Sequence, residues 1–236
     1  MRPSKRNKNQ LREVTIEPNV TKYAEGSCLI KFGNTHVLCN ASVEEKVPHF
    51  LKGKKQGWIS AEYSMLPRST HSRMSRDNNG RPNGRALEIQ RLIGRSLRSV
   101  IDVNKLGERQ ILIDCDVIQA DGGTRCAAIT GGFVALSIAV DKLLKQGLIK
   151  ENPLISQVAA VSCGVYNGEV ILDLDYDEDS KCEVDSNFIL NQNSEIIEVQ
   201  ATAEKGSASF AQITEMYELA KQAVLELLKI QENALK

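Results

Sequence analysis

The sequence predicts an α+β fold built from a duplicated unit, because short strand-like segments twice give way to one long helical segment. The first round closes on the apolar run 127–144 and the second on the amphipathic stretch 214–235. We read one domain with two similar halves, about 1–147 and 148–236. At 236 residues the chain is long enough to bury a sizeable core.

Segments 14–18, 28–32 and 35–43 read as strands, with Gly26 and a Gly33-Asn34 hairpin turn as punctuation. Segment 57–63 is a fourth strand. The pattern then dissolves over 68–85 into Ser, Thr, Asn, Gly and Arg, with Asn78-Asn79-Gly80 and Asn83-Gly84 as breakers, which predicts a long loop. Segment 84–100 is helical, with Leu92, Ile93, Leu97 and Val100 as its apolar stripe. Arg91, Arg95 and Arg98 occupy another face, and this lysine-free stripe is either solvated or held by fixed ion pairs, phosphates or a subunit interface.

Residues 110–118 alternate strictly, placing Ile111, Ile113, Cys115 and Val117 on one face. They lead through Asp121-Gly122-Gly123-Thr124-Arg125 into the apolar helix, which ends at Lys145-Gln146-Gly147. Beyond it lie a hairpin, 158–166 and 169–174 across Asn167-Gly168, two more strands at 187–190 and 196–202, and the last helix.

The glycine turn is a candidate phosphate seat. A helix start leaves backbone N–H groups unpaired and carries partial positive charge. Gly122 and Gly123 permit close approach of an anion, Thr124 adds a hydroxyl, and Arg125 adds a planar fork. A tight turn with a solvated Arg is the other reading, and neither GxxxxGK[ST] nor GxGxxG occurs in the chain.

Thirty basic and thirty acidic residues leave no net charge, but the charges are segregated. Residues 68–98 hold eight arginines against two acids, a balance of +6, whereas 173–185 hold seven acids against Lys181, a balance of −6. These blocks suggest a polyanion track and a separate cation site. The acid run fits no EF-hand, because Glu178 and Val184 stand where Gly and Glu are needed. Either Mg²⁺ bridges it or it is a charged hairpin edge.

Six cysteines without a CxxC pair read as reduced core thiols, and no signal peptide or uninterrupted membrane-length apolar run is found, so a cytoplasmic location without membrane contact is expected. A basic start comprises Arg2, Lys5, Arg6, Lys8 and Arg12. His36, His49 and His71 have no metal-ligand spacing and no GxSxG elbow occurs, which argues against a histidine-driven hydrolase.

Several motifs, in order, carry a resemblance: Arg2-Pro3, Ala24-Glu25-Gly26-Ser27, GWISAEYSMLP at 57–67, Gly84-Arg85, EIQRLIGRSLR at 88–98, DCDVIQADGGTR at 114–125 and the acid run 175–185. Together they span almost the whole chain, which resembles the ribonuclease PH family of phosphorolytic 3′→5′ exoribonucleases that trim transfer RNA precursors. The resemblance implies paired βαβ-type units with left-handed crossover, like a domain of a small-subunit ribosomal protein, and a homo-hexameric ring, a trimer of dimers.

By the same resemblance, Arg85 with Gly123, Thr124 and Arg125 holds inorganic phosphate as co-substrate, and Asp179 and Asp185 are catalytic acids that bind Mg²⁺. Arg68, Arg73 and Arg76 guide RNA. Phosphate would attack the terminal phosphodiester in line, releasing nucleoside diphosphates, and the reverse reaction would add nucleotides. Cys126 and Gly132 depart from the family's usual Thr and Ala. The extra RNA-binding modules of polynucleotide phosphorylase are absent from the sequence. The rivals are a non-catalytic RNA-binding ring subunit of an exosome-like assembly, against which Arg125, Asp179 and Asp185 speak, and a small-molecule kinase, for which no nucleotide-phosphate loop is found.

Overall fold

The computed structural model describes residues 2–76 and 84–236. Most of the breakers expected in the long loop, Asn78, Asn79, Gly80 and Asn83, lie outside the described residues, as do Asp77 and Arg81. The described chain forms nine strands and four α-helices, with short 3₁₀ turns at His49–Leu51 and Val103–Leu106.

Strands β1 (Val14–Pro18), β2 (Gly26–Phe32), β3 (Thr35–Glu44), β4 (Trp58–Met65) and β5 (Gln110–Gln119) form the first sheet, in the order β1-β2-β3-β5-β4. All its pairings are antiparallel except β4 with β5, whose parallel connection carries helix α1 (Gly84–Arg98). The alternation read in β5 is real: Ile111, Ile113, Cys115 and Val117 are buried, and Leu112, Asp114 and Asp116 are only partly so. Strands β6 (Val158–Tyr166), β7 (Glu169–Leu172), β8 (Val184–Asn191) and β9 (Ile196–Ala203) form a second, wholly antiparallel sheet in the order β7-β6-β8-β9.

Helix α2 (Thr124–Lys145) contacts strands of both sheets, β2, β3 and β5 of the first and β6 of the second. Sixteen of its 22 residues are buried, from Thr124 to Leu143. It is long and apolar enough to cross a bilayer, contrary to the sequence expectation, but its apolar surface faces the protein core. The last helix, α4 (Phe210–Ala234), locks this arrangement through Gln231, which donates to the Thr130 carbonyl of α2 at 2.9 Å and the Val158 carbonyl of β6 at 3.0 Å. The α+β class is as expected. All six cysteines are buried and unpaired.

Several boundaries differ from the sequence expectation, among them strand β8, which starts at Val184 rather than at 187 and so takes in Asp185, and three have a direct physical reason. Helix α2 starts at Thr124 rather than at residue 127, because Gly123 is a left-handed N-cap at φ 66°. Helix α4 starts at Phe210 rather than at 214, since Ser209 and Gln212 form a capping box. Strand β7 stops at Leu172 rather than at 174, because Asp173 takes a left-handed φ of 53° that no strand can continue.

The arginine stripe on α1 is mostly satisfied within the chain. Arg95 forks onto Glu198 of β9 at 2.8 and 2.9 Å, and Arg98 donates to the Ile59 carbonyl at 2.6 Å while its guanidinium lies 4.4 Å from the Trp58 ring centre. Fixed intramolecular partners therefore account for two of the three stripe residues, and Arg91 is exposed.

Candidate active site

The end of β5 and the start of α2 build one wall of a cleft of about 1090 Å³. Gly122 and Gly123 both have positive φ, 75° and 66°, which turns the chain sharply enough to present the first turn of α2 to the cleft. Thr124 is 8% exposed, and its hydroxyl shares a 2.8 Å hydrogen bond with the Tyr63 phenol of β4. Arg125 is steadied from two sides, by Gln200 of β9 at 2.8 Å and by Glu88 of α1 at 3.4 Å. Arg85, exposed on the first turn of α1, lines the same cleft.

The opposite wall comes from the second sheet. Asp179 ends the short helix α3 (Tyr176–Asp179), and Asp185 is the second residue of β8. Both line the cleft. Burial pushes the Asp185 carboxyl from the ordinary 3.8 up to about 6, Asp179 adds to the rise, and the Arg125 and Arg85 guanidiniums pull against it. Burial likewise raises Asp179, against the pull of Arg85 and Arg125. Two arginines and two acids, 54–100 residues apart in their closest and farthest cross-pairings along the chain, thus share one electrostatic environment. Among the described residues neither acid takes part in an ion pair.

That donor set fits Mg²⁺, which takes one or two carboxylates and completes its shell with water and phosphate oxygens. Among the described residues no group of three or more His, Cys, Asp or Glu could hold a metal, so a softer, all-protein site is not formed.

The acid run does not act as one cation site. Asp173 and Glu178, 1% and 0% exposed, are taken by arginines of the N-terminal segment. Arg2 forks onto Glu178 at 2.7 and 2.9 Å, Arg12 forks onto Asp173 at 2.7 and 3.0 Å, and Arg6 lies between both acids. Burial opposes ionisation of Glu178, but hydrogen bonds from Arg2 and Ser4 hold its carboxyl below the usual range. Arg2, Arg6 and Arg12 with Asp173 and Glu178 therefore form one buried network, and of the acids in the run only Asp179 and Asp185 line the cleft.

Of the loop arginines, Arg76 lines the cleft together with His71 and Met74. Arg68 and Arg73 are exposed and do not line it, and Arg68 is held by the His71 carbonyl at 3.0 Å. The His71 and Tyr176 rings, 5.4 Å apart, join this loop to α3 across the cleft wall. Sequence reasoning missed Tyr63, Ser162, Gln200 and Asn187 as site neighbours, since isolated polar residues on strands carry no local signal.

Comparison with known proteins gives concordant matches. The 3′ exoribonuclease family matches in two parts, its domain 1 over residues 10–140 and its domain 2 over residues 156–223. Ribonuclease PH of Cereibacter sphaeroides strain ATCC 17029 is 57% identical over 236 residues, all of both chains. Ribonuclease PH of strain ATCC 17025 is 56% identical over the same span. Among solved structures, rice (Oryza sativa) Rrp46 superposes with a TM-score of 0.80 at 21% identity, covering all of both chains. A chain of the Archaeoglobus fulgidus exosome with RNA bound to the active site gives a TM-score of 0.80 at 18% identity over 97% of this chain and 91% of that one. These last two bear on the fold alone.

Proposed function

The chain belongs to the ribonuclease PH family of 3′ exoribonucleases, and from that membership we propose how its cleft divides the work. It is a phosphorolytic 3′→5′ exoribonuclease of transfer RNA processing, a phosphate-dependent nucleotidyltransferase. The observation that carries our assignment of residues is the convergence of Arg85, Arg125 and the α2 N-terminus with Asp179 and Asp185 in one cleft.

Inorganic phosphate sits against the first turn of α2, held by backbone N–H groups of the glycine turn, by the Thr124 hydroxyl and by the forks of Arg125 and Arg85. Tyr63 fixes the Thr124 rotamer, and Gln200 and Glu88 fix that of Arg125. The RNA 3′ end enters so that its last phosphodiester lies between this anion and the two acids. A phosphate oxygen attacks the phosphorus in line and the bond to the 3′ oxygen of the preceding nucleotide breaks. The proton of the attacking hydrogenphosphate ends on that 3′ oxygen, giving a nucleoside 5′-diphosphate and a shortened RNA. Asp179 and Asp185 would hold Mg²⁺, which supplies neutralisation of charge on the scissile phosphate. Reversal of the same displacement adds nucleotides from diphosphates.

Product analysis tests this reading. With phosphate present the wild type should release diphosphates, and Arg125→Ala should lose at least tenfold in rate, since a charge-assisted contact contributes about 1.5–3 kcal/mol. Monophosphate products, or full activity without phosphate, would sink it.

A homo-hexameric ring, a trimer of dimers, fits the exosome-like fold. Sedimentation as a single 26.1 kDa chain at micromolar concentration would count against it. Six unpaired thiols suit a reducing compartment, and we place the enzyme in the cytoplasm, to be checked by fractionation.

A further inference from the structure

We propose that Arg12 is a positioning residue that sets the phosphate turn against the acid loop, so that the two walls of the cleft keep one spacing. This rests on the phosphate-site reading above. Arg12 is 9% exposed and is not among the cleft-lining residues, so it acts through others. Its Nε and Nη2 donate to the two Asp173 oxygens at 3.0 and 2.7 Å, and its backbone N–H donates to Asp173 at 2.7 Å. The remaining fork arm, Nη1, donates to the Asp121 carbonyl at 2.5 Å and lies 3.4 Å from the Gly122 carbonyl. One planar cation therefore grips the residue six before Asp179 and the two residues before Gly123.

Three further observations bear on this spacing. Asp173, though not glycine, is held at φ 53°, a conformation that persists only where its surroundings enforce it. At Gly122 the turn backbone lies so close to the acid loop that a Cβ would meet the Leu174 carbonyl oxygen at 2.6 Å. Thr35, fully buried, ties the same turn from the first sheet, donating to the Gly122 carbonyl at 2.6 Å and accepting from Asp121 N–H at 3.0 Å.

Lysine can keep the charge pair with Asp173 but has no fork to reach the turn carbonyls at the same time. In Arg12→Lys, KM for phosphate should rise tenfold or more while KM for RNA stays within about threefold. Thr35→Val removes the other tie without burying an unpaired charge, and should raise KM for phosphate in the same direction. Leu227→Ala, in α4 and fully buried, serves as the control: it should lower thermal stability and leave KM for phosphate unchanged. A folded Arg12→Lys enzyme with wild-type KM for phosphate overturns the proposal. Should that variant not fold, an unchanged KM for phosphate in Thr35→Val overturns it instead. Failure of the underlying reading would show separately, as phosphate-independent activity of the wild type.

Discussion

Asp185 is held where it is least comfortable. Its carboxyl sits at about 6 rather than 3.8, raised first by burial and then by Asp179. The folded state therefore binds this proton more tightly than the unfolded chain does, and stability falls as pH rises through that window. Above it the ionised group opposes folding by roughly 1–3 kcal/mol, allowing for its residual solvent contact. Asp185→Asn should accordingly unfold later than wild type at pH 7–8 in chelator, with the difference vanishing below about pH 4, while turnover collapses. Adding Mg²⁺ should raise the melting temperature of wild type and leave the variant unmoved. Equal melting curves in chelator at both pH values would refute the strain. At this scale the sequence is ambiguous for a definite reason. Asp173, Glu178, Asp179 and Asp185 look alike in one dense run, yet two are cancelled by Arg2 and Arg12 more than 160 residues away in sequence. Local density shows that cations are needed there, but it does not show which acids already have them.

Elements were more legible than side-chain partners, because burial periodicity is local. The alternation of β5 and the apolar character of α2 follow from side-chain direction alone. The end of β7 was not legible, since Asp173 leaves the strand under the grip of Arg12, a contact between distant residues. The α2 start was half legible: the glycine pair marked it, and only the left-handed Gly123 places Thr124 and Arg125 inside the first turn. That geometry makes a matched pair of substitutions informative. Gly147, just past the α2 end, has φ 69° with open space around its missing Cβ, so Gly147→Ala should destabilise by about 1 kcal/mol and leave phosphate kinetics intact. Gly122 has φ 75°, and its added Cβ would also meet the Asp175 backbone at 2.8 Å, so Gly122→Ala must push the turn off the acid loop. We expect KM for phosphate to rise at least tenfold in the second variant only. Indistinguishable phosphate kinetics for the two would mean that the close approach does not govern the site.

At the scale of the molecule, α2 lies between two sheets and delivers its N-terminus to a cleft walled by both. A cleft of about 1090 Å³ admits the last few nucleotides of an RNA but not a folded transfer RNA, whose body must be held outside. The lysine-free run of 68–98, with its balance of +6, begins at the cleft and continues along α1. Arg95 and Arg98 are already engaged within the chain, which leaves the exposed Arg91 and the loop arginines as the better candidates for RNA backbone. Their positions divide the task. Arg76 lines the cleft, where it can meet the 3′ tail, whereas Arg68 and Arg73 are exposed outside the cleft lining. Arg76→Ala should therefore weaken binding of a four-nucleotide RNA and of a transfer RNA precursor alike. Arg68→Ala with Arg73→Ala should weaken only the precursor. Each lost contact to single-stranded phosphate should flatten the dependence of log affinity on log salt by about 0.7, so the triple variant should lose about 2 in slope on the precursor. Phosphate saturation should stay close to wild type in all of them, because the Gly123-Thr124-Arg125 turn is untouched. A salt titration of both RNAs against each variant decides the matter, and unchanged slopes on the precursor would mean that RNA reaches the acids by another face.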